Sequence, residues 1–236
     1  MMKNIYIGDI HGRTTWMKIV EEHPDADNVV FIGDYFDSYD DISAADQIDN
    51  LLKIIEYKKT SKSTVTLLIG NHDHHYWPSI GNTGTSGYQS AAAPAITKVF
   101  EDNKDQFNMA VLVGDKLCTH AGVSPIYLED NGWKESDDII TFLNDLFEFK
   151  PRVFIFAGRD PYGDDFYQTP IWIRPASLRW VNNDVTLIRD KYVQIVGHTQ
   201  QNTINVSSCG RYIFIDTLPV DEYLIEIDGE LSVGKI

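Results

Sequence analysis

Apolar positions in the first third of the chain fall into three short runs: Ile5-Tyr6-Ile7, Val29-Val30-Phe31-Ile32 and Val65-Thr66-Leu67-Leu68-Ile69. Runs this short and this apolar predict strands covered on both faces. Between the second and third, Ile48, Leu51, Leu52 and Ile55 recur at helical spacing, with Ser43 placed to cap the helix start. The rhythm then breaks. Residues 74–93 are rich in Gly, Ser, Thr and aromatics without periodicity, which predicts a long irregular loop; Pro94 opens the next short helix. Ile139, Leu143, Leu146 and Phe147 mark a further helix. The remainder reads as strands over 193–196, 203–206 and 211–215, then a hairpin over 223–233 turned at Asp228-Gly229. An α/β first half followed by a strand-rich second half predicts two packed sheets with helices outside. Repeats, low-complexity tracts and Pro/Gly-rich linkers are absent from the sequence, so one domain over residues 1–236 is expected, with 74–93 as its loop.

Composition narrows the setting. The 236 residues are 43% hydrophobic and 23% charged, an ordinary globular balance. No apolar run reaches membrane-spanning length, and the start lacks the apolar stretch of a signal peptide. Cys118 and Cys209 are isolated in sequence and read as free thiols, so a cytoplasmic location is expected. The net charge of −15 makes nucleic acid and anionic membranes unfavourable partners. It does not oppose a phosphorylated substrate, because a bound divalent cation reverses the local field. Oligomeric state is not legible.

Polar residues cluster where strands end. Gly8-Asp9-Ile10-His11-Gly12, Gly33-Asp34-Tyr35-Phe36-Asp37 and Gly70-Asn71-His72-Asp73 follow the first three strands, and Thr119-His120-Ala121-Gly122 and Gly197-His198-Thr199 follow two later ones. Strand carboxyl ends are where open α/β sheets place ligands. Together these loops offer two carboxylates, an amide oxygen and three imidazoles: Asp9, Asp34, Asn71, His11, His120 and His198. Oxygen and nitrogen donors without cysteine suit Mn, Fe or Zn. Six donors exceed the need of one catalytic ion but suit two ions sharing a carboxylate, with a phosphate held between them. Any one of these motifs is usually a simple turn; five in succession at strand ends are not. His23, His74 and His75 read as ordinary surface or loop histidines. Tyr76, Trp77 and Tyr88 either stack on a base or plug the loop onto the core, the second being the simpler reading.

The five motifs resemble those of the calcineurin-like metallophosphoesterases, in particular the phosphoprotein-phosphatase-like branch: GDxHG, GDxxD, GNH(D/E), a histidine segment and Gly-His, in that order. The segment from Lys116 to Pro125 is an especially close match. The resemblance implies an αββα sandwich of two mixed sheets flanked by helices. It implies that Asp9 and His11 hold one metal, that Asp34 bridges, and that Asn71, His120 and His198 complete the second, with manganese the expected metal. His72 matches the family's general acid and Asp37 the carboxylate that orients it. The activity implied is hydrolysis of phosphate monoesters by a metal-bridging hydroxide, of phosphoserine or phosphothreonine proteins or else of nucleotides or diadenosine tetraphosphate. A non-catalytic binding module is the reading of another class. One departure stands out: the branch usually continues Asp37 with Arg-Gly, the Arg clamping phosphate, whereas this chain has Ser38-Tyr39. Trp172-Ile173-Arg174 resembles the segment supplying a second phosphate-binding arginine, so Arg174 is the candidate clamp. Arg13, Arg159 and Arg179 are unranked alternatives.

Overall fold

The computed structural model describes residues 1–157, 160, 165–181, 188 and 190–236. Arg159 lies outside the described residues. The first sheet has the order β11-β10-β1-β2-β3-β4, formed by β1 (Lys3–Ile7), β2 (Asn28–Phe31), β3 (Thr64–Leu68), β4 (Phe107–Asn108), β10 (Glu222–Ile227) and β11 (Glu230–Lys235). β1 to β4 run parallel, while β10 pairs antiparallel with β1 and the β10–β11 hairpin turns at Asp228-Gly229. The second sheet has the order β5-β6-β7-β9-β8, from β5 (Val111–Val113), β6 (Lys116–Cys118), β7 (Val193–Val196), β8 (Asn205–Val206) and β9 (Tyr212–Phe214). Its three central strands are parallel and its edges antiparallel.

Side-chain alternation explains the layering. Tyr6, Val30, Ile32 and Leu68 of the first sheet meet Val113, Cys118, Ile195, Ile213 and Ile215 of the second, forming the core between sheets. The alternate residues Ile5, Ile7, Val29, Phe31 and Leu67 face the other way and pack under helices. That helical layer includes α1 (Trp16–Glu22), α2 (Ala44–Thr60), α4 (Ala93–Asp102) and α6 (Ile139–Phe149), which follow in chain order around the single-turn α3 (Asn71–His74) and α5 (Pro125–Asp130). On the far side of the second sheet, α7 (Pro175–Val181) sets Leu178 and Val181 against Ala121, Val196 and Phe214. Two mixed sheets flanked by helices are therefore present, as the periodicity and the family resemblance both implied.

Local details follow the sequence with three corrections. Ser43 caps α2 by accepting from the Asp46 amide, and Pro94 sits in the first turn of α4. The buried stripe of α2 is Leu51, Ile54 and Ile55; Leu52 is exposed, because the helix is rotated slightly from the face assigned to it. His74 and His75 are buried, not surface residues: His74 Nε2 donates to the Pro151 carbonyl and its ring lies among Phe147 and Phe154. Strand β8 is shorter than the 203–206 run expected. Tyr76 and Trp77 are buried, and Trp77 packs on Phe100, Phe107 and Phe147, so the aromatics plug the loop onto the core.

Candidate metal centre and active site

All five motif loops leave the same end of the two sheets and meet over the line where the sheets face each other. Two glycines make the approach close enough. A Cβ on Gly70 would stand 2.0 Å from Asp34 Oδ1, and one on Gly197 would stand 2.0 Å from Asp9 Oδ1. Four residues of the group carry left-handed backbone, His11 (φ 43°), Asp34 (52°), Asp37 (59°) and His198 (65°). This conformation is costly for L-residues, and such strain concentrates at functional sites.

The donors converge on Asp34. Its Oδ2 lies 3.6 Å from His11 Nε2 and 3.3 Å from His120 Nε2, while Oδ1 accepts from the His72 amide at 2.9 Å. Asn71 Oδ1 lies 3.0 Å from His120 Nε2 and 2.8 Å from His198 Nδ1. The His198 amide donates to both oxygens of Asp9 at 3.1 and 3.0 Å. Asp9, Asp34 and His120 each bring one donor atom within 4.8 Å of the others. The six residues expected to ligate metal are thus adjacent, His120 at the base and the others lining a cavity of about 860 Å³.

Each imidazole is aimed by a carbonyl. His11 Nδ1 donates to Phe36 O at 2.7 Å, His120 Nδ1 to Ile32 O at 3.0 Å, and His198 Nε2 to Trp172 O at 3.1 Å. The nitrogen turned towards Asp34 and Asn71 is in every case the other one, which then carries a lone pair. Burial also holds His11 and His198 neutral by lowering their pKa values, with Arg174 adding to the effect on His198. Around these lone pairs lie buried carboxyls that repel one another. Burial, then Asp216 and Asp34, raises Asp9; burial, then Asp34, raises Asp73; and Asp216 is pushed up to about 6 by burial and Asp34. Burial would raise Asp34 as well, but attraction to the His120 and His72 rings, when these carry a proton, holds it below its ordinary value. Lone pairs and clustered carboxylates in one buried place are what a multivalent cation requires, so the donor set fits a metal group.

A second group adjoins the first. Asp37, fully buried at its side chain, receives His72 Nδ1 at 2.9 Å, Tyr76 Oη at 2.6 Å and Gln89 Nε2 at 3.1 Å. His75 Nε2 is 2.7 Å from Asp37 Oδ2 but poorly aligned for a hydrogen bond. With Nδ1 engaged, His72 turns Nε2 to the cavity. Burial would lower the His72 pKa, yet the Asp34 and Asp37 carboxylates outweigh it and raise it, favouring the protonated form.

The arginines separate cleanly. Arg174 lines the cavity and donates to His198 O at 3.1 Å and Thr199 Oγ1 at 3.0 Å. Arg13 also lines it, paired with Asp40 at 2.9 Å. Arg179 instead bonds Pro175 O and covers the Phe214 ring. Thr83, Gly84, Thr85 and Ser86 of the 74–93 segment form part of the cavity wall. Two site residues went unassigned in the sequence. Asp216 lines the cavity directly after β9, at the same sheet end as the motifs, and the signal was present as a carboxylate ending an apolar run. Asp73 accepts the amides of Asp34, Tyr35 and Gly70 at 2.7, 2.8 and 2.9 Å, tying two motif loops together.

Residues 2–202 match the calcineurin-like phosphoesterase family, and the chain belongs to that family of phosphate-ester hydrolases. A protein phosphatase 2A catalytic chain from Dictyostelium discoideum is 27% identical over 125 residues, 50% of this chain and 38% of that protein. The match therefore spans less than two fifths of that relative's length, and it agrees with the phosphoprotein-phosphatase-like branch to which the motifs point. A cold-active protein-tyrosine phosphatase of a psychrophilic Shewanella species superposes with a TM-score of 0.67 at 18% identity, over 100% of this chain and 78% of that one. A putative diadenosine tetraphosphatase gives 0.53 at 14% identity, over 99% and 93%. At these identities the structural likeness concerns the fold. Among the described residues no helix is long and apolar enough to cross a membrane.

Proposed function

We propose that the chain is a metal-dependent phosphomonoesterase. The observation that carries this reading is the aiming of three imidazole lone pairs, each by its own backbone carbonyl, at the buried carboxylate of Asp34 and the adjoining Asn71 oxygen. In this reading Asp9, His11 and Asp34 hold one divalent cation, and Asp34, Asn71, His120 and His198 hold a second, with manganese first choice and iron or zinc as alternatives. Two such ions supply Lewis acidity towards phosphate and lower the pKa of the attacking water. The chain's own residues do the rest. Arg174, anchored at the His198 loop and facing the cavity, binds phosphate oxygens and offsets the charge that develops on them. His72 delivers the proton from Nε2 to the departing oxygen, and Asp37 keeps its other nitrogen protonated and the ring in place.

A protein phosphatase 2A catalytic chain is similar in sequence, and the fold is shared with a protein-tyrosine phosphatase and a putative diadenosine tetraphosphatase, so the fold leaves the ester open. The presence of all six donor residues together with a paired His72–Asp37 argues against a binding module without turnover. The test is release of nitrophenol from a nitrophenyl phosphate by chelator-stripped protein given back Mn²⁺, then a panel of phosphopeptides, nucleotides and dinucleoside tetraphosphates. Metal-restored turnover is expected. Stoichiometric metal binding without turnover on any member of the panel would leave the binding module as the better reading.

A further inference from the structure

Tyr39 stands where the related enzymes carry the glycine after their clamp arginine, and the structure gives it an unusual position. It is 72% exposed although it stands at the mouth of the cavity. The ring meets His11 edge-on at 5.1 Å and 61°, and His72 at 6.2 Å and 79°. Its hydroxyl is 3.5 Å from His72 Nε2. A residue this exposed contributes little packing to the fold, so its placement needs another account.

We propose that Tyr39 forms a platform for a planar aromatic leaving group, so that phenolic phosphate monoesters, the chemistry of phosphotyrosine in a peptide, are the favoured substrates. The inference rests on the phosphomonoesterase reading above. Its geometry starts from His72, whose Nδ1 is committed to Asp37, leaving Nε2 as the proton donor. The departing oxygen must come within about 2.6–3.2 Å of Nε2. The carbon bonded to that oxygen then lies beside the Tyr39 ring, because the ring's own hydroxyl is already 3.5 Å from the same nitrogen. That hydroxyl also shows that a phenolic oxygen can approach Nε2. A seryl leaving group would set a single methylene against the ring. A phenol would lay a whole ring along it, covering apolar surface that solvent now wets. Phe156 and Trp172, in edge contact at 5.1 Å, extend the aromatic lining of the same cavity. An aromatic pair of this kind should favour the phenolic ester by about 3–10-fold. A nucleoside monophosphate places a ribose between the departing oxygen and its base, so the base cannot occupy this position.

The experiment compares the Mn²⁺-loaded chain with Tyr39→Ala and Tyr39→Phe. It measures kcat/KM on a phosphotyrosine peptide, a phosphoserine peptide of the same flanking sequence, and a nucleoside 5′-monophosphate. The phosphotyrosine-to-phosphoserine ratio should fall about 3–10-fold in Tyr39→Ala and hold in Tyr39→Phe, which keeps the ring. An unchanged ratio in Tyr39→Ala, whether through equal losses or none, would overturn the proposal. So would a loss confined to the nucleotide, or a ratio that collapses equally in Tyr39→Phe. Absence of turnover by the unmodified chain on every ester overturns the phosphomonoesterase reading itself, and is seen before any variant is compared.

Discussion

Replacing Asp73 by Asn tests whether the centre is held together by the contact between its two richest loops. The carboxylate is fully buried and accepts three backbone amides, two on Oδ2 from Asp34 and Gly70 and one on Oδ1 from Tyr35. An amide side chain has one acceptor oxygen. Even oriented for the best fit, it keeps two of the three bonds and turns an NH₂ group towards the remaining N–H. An unsatisfied buried donor costs roughly 1–3 kcal/mol, and the two surviving bonds weaken as their acceptor becomes neutral. A total of about 2–4 kcal/mol is expected, which for a chain of this size lowers the melting midpoint by roughly 5–12 °C. The loops that would separate carry Asp34 on one side and Asn71 and His72 on the other, so metal affinity should fall about 10–100-fold, as for other residues that position ligands. Urea unfolding at pH 8 and Mn²⁺ titration by calorimetry measure the two effects. A variant with unchanged stability and unchanged Mn²⁺ affinity would refute the reasoning, and would mean that Asp73 is protonated and acts as a neutral acceptor.

Other outcomes follow from the same geometry. Asp34→Asn should abolish detectable hydrolysis at Mn²⁺ concentrations that saturate the unmodified chain, since Asp34 faces both groups of donors; retained kcat would remove it from the bridging position. His72→Asn should slow alkyl phosphates by about 10²–10⁴-fold and nitrophenyl phosphates far less, the latter needing little protonation; equal losses would make His72 a structural residue. Arg174→Ala should lower kcat/KM by roughly 2–4 kcal/mol across substrates, and a smaller loss than in Arg13→Ala would move the clamp to Arg13. His74, buried and neutral against Pro151 O, has its pKa lowered by burial from 6.5 to about 4. The unfolded chain therefore binds the extra proton more readily, so stability is whole above pH 6.5 and is lost as pH falls towards 4, by roughly 3 kcal/mol. His74→Gln should flatten that part of the urea-midpoint profile, and an unchanged slope would place the acid sensitivity elsewhere.

The convergence of the candidate donors is legible in the sequence because their positions follow a rule. Asp9, Asp34, Asn71, His120 and His198 each follow a strand run that the apolar pattern alone reveals, and the sheets bring strand ends together. Asp216 obeys the same rule after β9 but lacks a neighbouring glycine, so nothing in its surroundings flags it. Asp73 is visible within its motif while its function is not. Three backbone amides from two loops are a tertiary fact that no spacing records. The same holds for Arg13, where a residue number says nothing about which way the guanidinium swings. His74 and His75 read as surface residues because polarity in a loop-like segment suggests solvent, whereas here carbonyl and carboxylate partners allow burial.

The segment that follows His72 is fastened at its ends and open in the middle. Tyr76 and Gln89 both grip Asp37, Tyr76 stacks on Tyr88 at 5.0 Å, and Gly87 abuts the Asp37 side chain. Between these anchors, a Cβ on Gly81 or Gly84 would meet nothing within 4 Å, although residues 83–86 face the cavity. The arrangement is a cassette. Insertions, deletions and substitutions over residues 81–86 can reshape that wall of the cavity without disturbing the atoms that hold His72. Descendants of such a chain could therefore change diet while keeping their chemistry, and a graft cut at Tyr76 and Gln89 is the natural unit for exchanging one preference for another.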